Sequence, residues 1–234
     1  MVDDFNGFND LNGLNDLTNR PLEETTMIDE LIKNLTWLGH DGYRVEGDLV
    51  IYFDPYEIEG GKPADLIFIT HEHFDHCSPA DVTKIKKDDT VIVTDVASAK
   101  KLKGDIKTMR PGDHLSLKGV EIQAVPAYNL NKQFHPKNAG MLGFVVNIGG
   151  VRLYHAGDTD FIPEMKEVKT DIALLPVSGT YVMTADEAIQ AAEAINPKVA
   201  IPMHYGAIVG DKSDAVHFRD ELAGKIEVVI LEKE

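Results

Sequence analysis

The sequence predicts a layered α/β domain, and three observations carry that prediction. Short apolar runs of strand length, such as Leu66-Ile67-Phe68-Ile69 and Ile172-Ala173-Leu174-Leu175, alternate along the chain with segments of helical spacing. The 234 residues and the apolar fraction of 43% suffice for one well-buried domain with at most a short appendage. One apolar run opens directly into Thr70-His71-Glu72-His73-Phe74-Asp75-His76-Cys77, where several chemically active side chains gather at the end of a strand.

Taken in order, residues 5–17 repeat an apolar residue followed by Asn and then Gly or Asp, a turn-forming composition with no sustained apolar face. They predict an N-terminal arm over residues 1–26, either flexible or docked through its Phe and Leu side chains on a partner subunit, outside a domain spanning 27–234. Residues 27–35 suit a short helix with Ile28, Leu31 and Ile32 on one face. Two strands around a turn follow, at 37–40 and 49–53, and Asp54-Pro55 ends the second because proline cannot continue a ladder. After the histidine-rich stretch, Ser78-Pro79-Ala80-Asp81 reads as a helix start: Ser caps, Pro fills the first turn, and Asp suits the positive end of the dipole.

Strands are expected at 90–94 and 120–125, with a short helix at 96–102 closed by Gly104 between them. Residues 128–140 are irregular, and strands follow at 143–148, 151–155 and 172–175, the last closed by Pro176. Thr184-Ala185-Asp186-Glu187 is a capping box; the helix it opens sets Ala185, Ala188, Ile189, Ala192 and Ile195 at core spacing. A strand at 198–203, a helix from Ser213 to the stop at Gly224, and a strand at 226–231 complete the chain.

Composition limits the partners. The formal charge of −16 opposes a polyanion, since nucleic-acid binding needs a Lys/Arg-rich face to displace counterions. Two divalent cations would offset only four of those charges. No apolar run has the length to cross a bilayer, and no basic-then-apolar leader opens the chain, so a soluble cytoplasmic protein is expected. The single Cys77 excludes an intramolecular disulfide and fits a reducing compartment; a small buried thiol is its expected role.

Imidazole nitrogens and carboxylate oxygens are what an ion such as Zn²⁺ accepts. In an extended segment alternate side chains share a face, so His71 and His73 address one ion from one side, while Asp75 and His76, beyond a turn, point elsewhere. The spacing suggests two metal sites side by side. His71-x-His73-x-Asp75-His76 matches the H-x-H-x-D-H signature of the metallo-β-lactamase superfamily, and Tyr154-His155-Ala156-Gly157-Asp158-Thr159 and Ile201-Pro202-Met203-His204-Tyr205-Gly206 are similar to the rest of its pattern. Over residues 35–231 the chain resembles the small metal-dependent hydrolases of that superfamily, a group that includes the ascorbate-phosphate lactonase-like proteins.

The resemblance implies a four-layer αββα sandwich, two sheets face to face with helices outside. It also implies that Asp158 bridges two ions and that His204 completes the second site with Asp75, His76 and Asp158. The chain departs from the family pattern at Tyr128, where a third histidine normally reaches the first metal. Either His135 curls back to supply that ligand, Tyr128 or water fills the position, or only one metal is held firmly; the long polar loop favours His135. Tyr128, Asn129, Thr159 and Tyr181 are expected to meet the substrate, and Lys132 and Lys137 are candidates for an anionic group on it. His40 and His155 are expected to support the site, whereas His217, on the last helix, and His114, on a turn, lie outside it.

The chemistry implied is hydrolysis. Two ions sharing Asp158 would hold a hydroxide, because a bound divalent ion lowers the pKa of water from about 16 to about 7, and Asp75 would orient this nucleophile or take its proton. Zinc is expected, since His73 stands where diiron relatives carry a glutamate, with Mn²⁺ or Fe²⁺ as alternatives. The expected substrate is a small-molecule lactone, ester or phosphodiester. A compact phosphodiesterase or nuclease is the alternative enzyme, opposed by the acidic composition and by the short stretch between Asp158 and His204. A metal-holding sensor without turnover is the alternative from another class, a homo-oligomer is compatible with every reading, and antibiotic hydrolysis is not expected without a leader.

Overall fold

The computed structural model describes residues 22–234. The arm expected over 1–26 lies outside the described residues as far as residue 21, and helix α1 (Leu22–Lys33) starts earlier than its periodicity suggested. It sets Ile28 and Leu31 into the core.

The first sheet holds β1 (Leu35–Gly39), β2 (Gly42–Glu46), β3 (Val50–Phe53), β4 (Ala64–Ile69), β5 (Lys86–Thr94) and β6 (Asp105–Thr108) in that spatial order. Its first three strands are antiparallel and the rest parallel. Helices α2 (Pro79–Ile85) and α3 (Val96–Ala99) connect β4 to β5 and β5 to β6. The second sheet holds β7 (His114–Leu117), β8 (Val120–Pro126), β9 (Leu142–Ile148), β10 (Val151–His155), β11 (Ile172–Pro176), β12 (Val199–Met203) and β13 (Glu227–Val228), antiparallel up to β10 and parallel beyond it. Helices α4 (Ala185–Ile195) and α5 (Lys212–Leu222) connect its last three strands.

Strand β4 shows why these sequences layer. Leu66 and Phe68 enter the core shared by the two sheets, while Ile67 and Ile69 face the opposite way into a second cluster with Val82 and Ile85 of α2. A strand buried on both faces reads as an unbroken apolar run, which is how it appears in the sequence. Phe68 meets Phe53 at 5.0 Å and Phe144 of β9 at 5.2 Å between ring centroids, so the sheets join through aromatic contacts. Each such ring contributes about 1.5–3 kcal/mol by burial. Helices α4 and α5 add Ala188, Ala192, Ala215 and Phe218 from the far side of the second sheet. The four-layer arrangement is therefore present.

Several elements differ from the sequence expectation. Strand β2 escapes a pattern reading because Arg44 sits in it, buried, with its guanidinium on Glu234 at 2.9 and 3.0 Å. Strands β6 and β7 are short and half polar, and His114 lies in β7 rather than on a turn. Helix α3 stops at Ala99, the final strand shrinks to Glu227–Val228, and α5 is capped by Asp211 instead of Ser213. Asp211 accepts from Ser213 N–H at 2.6 Å while Asp214 reaches back to Asp211 N–H at 3.0 Å, a reciprocal cap with Asp in the place usually held by Glu.

Candidate metal centre

Residues that follow the carboxyl ends of β3, β4, β10, β11 and β12 meet along one edge of the sandwich, where ligands bind in open α/β sheets. After β4 the chain turns sharply, with His76 N–H and Cys77 N–H both donating to the His73 carbonyl at 3.1 and 2.8 Å, before Ser78 caps α2. This turn separates the two halves of the motif. On one side His73 Nδ1 lies 3.1 Å from His71 Nε2 and 3.0 Å from His135 Nε2. On the other, His76 Nε2 lies 3.3 Å from Asp158 Oδ1 and 3.7 Å from Asp75 Oδ2. Asp158 Oδ2 stands between them, 3.3 Å from His135 Nε2 and 3.4 Å from His204 Nε2.

Four of the histidines, His71, His76, His135 and His204, are held from behind. Asp54, at the end of β3, accepts from Thr70 N–H at 2.8 Å, from the Thr70 hydroxyl at 2.6 Å and from His76 Nδ1 at 2.8 Å. Thr70 Oγ1 in turn lies 3.0 Å from His71 Nδ1, Ser178 Oγ 2.9 Å from His204 Nδ1, and the Tyr181 carbonyl 3.3 Å from His135 Nδ1. With Nδ1 engaged in this way, Nε2 of His71, His76, His135 and His204 is left to face the centre, the arrangement that orients metal-binding imidazoles. His40, His135 and His204 all adopt positive φ, at 51°, 59° and 60°. Such backbone is sparsely populated and concentrates at functional sites.

The donors fit divalent cations. His71, His73 and His135 form one group of mutually close donor atoms, and His71, His76 and Asp158 another. His76 Nε2 and Asp158 Oδ1 are buried and make no hydrogen bond among the described residues. Burial, reinforced by the neighbouring imidazoles, holds His71 well below the ordinary histidine range, and burial also lowers His135 and His40. Burial opposes charge on His76 and His204 as well, but the Asp158 carboxylate wins and raises both, with Asp54 helping at His76 and Asp41 at His204. Against its own burial, Asp158 is held well below the carboxylate range by His204 and His76. Carboxylates that stabilise positive charge here would hold a cation in the same way.

A family model described as a beta-lactamase superfamily domain matches residues 34–204. A UPF0173 metal-dependent hydrolase from Methanoregula boonei is 36% identical over 198 residues, covering 80% of this chain and 88% of the relative. One from Archaeoglobus fulgidus is 33% identical over 220 residues, covering 84% and 95%. The chain belongs to the metallo-β-lactamase superfamily, among its metal-dependent hydrolases. Solved structures agree: a Parabacteroides distasonis protein superposes with a TM-score of 0.77 at 36% identity, covering 86% of this chain and 93% of that one. Igni18, a metallo hydrolase from Ignicoccus hospitalis, gives 0.70 at 25% identity, covering 85% and 94%.

Within this hydrolase the expected donors His71, His73, Asp75, His76, Asp158, His204 and His135 come together. His40 reaches the site from the β1–β2 turn, its Nε2 3.2 Å from Asp75 Oδ2. His155 lies deeper, stacked on Phe53 at 5.3 Å, with both ring nitrogens engaged by backbone. The expected substrate contacts divide. Tyr181 lines a cavity of about 470 Å³ over the site with Phe74, Phe134 and Lys101. Tyr128 instead points its hydroxyl at Glu164 (2.8 Å), Thr159 bonds the Tyr128 backbone, and Asn129 donates to the carbonyls of Phe134 and Tyr181 at 3.0 and 2.6 Å. These three buried residues shape the loop that delivers His135 and do not line the cavity. Lys132 and Lys137 are occupied by Asp160 and Glu164.

Two site residues escape a sequence reading. Asp54 looks like a strand stop before Pro55, and Asp41 like part of a turn before Gly42. Nothing local marks either one, because their partners lie far along the chain.

Proposed function

We propose that the protein is a binuclear hydrolase, with zinc as the expected ion and Mn²⁺ or Fe²⁺ as alternatives, acting on a small uncharged lactone or ester that carries an apolar group. The observation that carries this reading is the pair of donor sets flanking one carboxylate: His71, His73 and His135 on one side of Asp158, and Asp75, His76 and His204 on the other. Bound divalent cations supply a water acidified to near neutral pH and polarisation of a carbonyl oxygen.

The remaining work falls to the chain. Asp75, steered by His40, orients the attacking water and takes its proton. Phe74, Phe134 and Tyr181, each more than two-fifths exposed, hold the apolar part of the substrate and shield the electrophile from bulk water. The preference for an uncharged substrate follows from the cations near the cavity: Lys101 donates to the Glu72 carbonyl at 2.6 Å, and Lys132 and Lys137 are paired with carboxylates. A phosphodiester would meet an acidic chain with few free cations, so phosphodiesterase or nuclease work is the weaker reading. Among the described residues no helix is long and apolar enough to cross a membrane, in keeping with a cytoplasmic protein whose partner is a small molecule.

The test is metal content by plasma mass spectrometry beside hydrolysis of p-nitrophenyl esters of graded chain length, lactones and bis(p-nitrophenyl) phosphate. Two ions per chain and chelator-sensitive turnover of esters or lactones support the proposal. Turnover of the phosphodiester alone, or none after zinc or manganese is restored, overturns it.

A further inference from the structure

Asp41 sits at the tip of the β1–β2 hairpin, beside Gly39 and His40, which both take positive φ (102° and 51°). Its side chain is fully buried, at 0% exposure, yet neither carboxylate oxygen finds a hydrogen-bond partner among the described residues. Burying a charged carboxylate without partners is costly, and contacts from a bound cation would offset that cost. Asp54, a few ångströms away, shows the contrast: both of its oxygens accept hydrogen bonds, so it is explained as support for Thr70 and His76.

The neighbours of Asp41 narrow what the missing partner is. His155 is excluded, since its Nε2 lies 2.9 Å from the Asp41 carbonyl and its Nδ1 accepts from Gly157 N–H at 3.3 Å. His76 Nδ1 is 3.9 Å away and already committed to Asp54. What remains is the side facing Asp158 and His204: one donor atom each from Asp41, Asp158 and His204 lie within 4.8 Å of one another, all three residues buried. Two carboxylates and an imidazole converging in this way offer the oxygen and nitrogen donors that a divalent cation accepts.

We propose, resting on the binuclear reading above, that Asp41 is a direct ligand of the divalent cation held at Asp158 and His204. The hairpin tip then closes the second position twice, Asp41 through its own carboxylate and His40 by steering Asp75. That position would carry three carboxylates against the three imidazoles of the first, which shifts it towards oxygen-preferring cations.

The experiment is zinc titration of the full-length apoprotein against a competing chelator, for wild type, the isosteric Asp41→Asn and the carboxylate-retaining Asp41→Glu. The expected result is two ions in wild type, an unchanged first ion in Asp41→Asn with its second ion weakened at least tenfold, and partial recovery of that second ion in Asp41→Glu. Retention of the first ion also reports that the variant is folded. Two ions of unchanged affinity in Asp41→Asn, or equal weakening of both, would overturn the role of Asp41 while leaving the binuclear reading in place. Fewer than two ions in wild type would overturn that reading and this proposal together.

Discussion

His76 Nε2 stands 3.3 Å from Asp158 Oδ1, and neither atom makes a hydrogen bond among the described residues. The other ring nitrogen of His76 is held by Asp54 at 2.8 Å, so an imidazole and a carboxylate oxygen face each other in a buried space with their lone pairs opposed. A proton or a cation between them resolves the opposition.

Asp158 touches both donor sets, so Asp158→Ala should lose both ions and reduce turnover by more than about 10²-fold, beyond what the loss of an outer partner costs. Metal content per chain, measured with turnover, checks this. Retention of one firmly bound ion would show that the carboxylate serves only one position.

His135 belongs to one set alone, its Nε2 3.0 Å from His73 Nδ1. His135→Ala should therefore drop the metal content from two ions to one. An unchanged two-ion content would remove His135 from the donors and reopen the question of what replaces the histidine expected where Tyr128 stands.

Asp54 meets no cation in this reading, yet it orients His76 directly and His71 through Thr70. Asp54→Asn keeps the shape and weakens the acceptor. Metal affinity should fall by about 10–100-fold, read by chelator competition, with the fold retained by circular dichroism.

Gly157 allows the loop after β10 to approach the motif. Its φ is +63°, and a Cβ would lie 2.9 Å from the Leu142 carbonyl oxygen and 3.1 Å from Thr70 Cβ. Gly157→Ala should cost roughly 2 kcal/mol or more from left-handed backbone and crowding. A chain of this size would then melt about 5 °C lower; an unchanged melting temperature would contradict the packing described.

Away from the site, His217 pairs with Asp186 at 2.7 Å across α5 and α4, and that hydrogen bond raises the His217 pKa above its ordinary value. A raised histidine contributes stability that is fully present below its unfolded pKa and is lost as pH rises through the folded one. Because the pair is exposed, the effect should be no more than about 0.5 kcal/mol and should shrink with salt. Thermal melts of wild type and His217→Ala at pH 5.5 and 8.5 check the sign: the gap between them should close at the higher pH.

Much of this was open to reading in the chain itself, for a physical reason. Strand β4 is an unbroken apolar run because both its faces are buried, the Thr184 capping box is a contact between residues three apart, and the His71–His76 spacing is set by one strand end and one turn. Such features depend on near neighbours, and composition displays them. Arg44 hid a strand because its partner, Glu234, is at the other end of the sequence.

The local sequence therefore determined the layered fold, the metal-binding motif and its division into two halves. Only the tertiary structure decided which distant groups complete it. His135 comes within 3.0 Å of His73 because Asn129 and the Tyr181 carbonyl pin its loop there. Tyr128, Asn129 and Thr159 turn inward because the loop needs their hydrogen bonds to hold its shape. Asp41 stands more than a hundred residues before Asp158 and His204, yet donor atoms of the three lie within 4.8 Å of one another. Contacts between such separated residues carry no periodicity, and packing the two sheets together is what creates them.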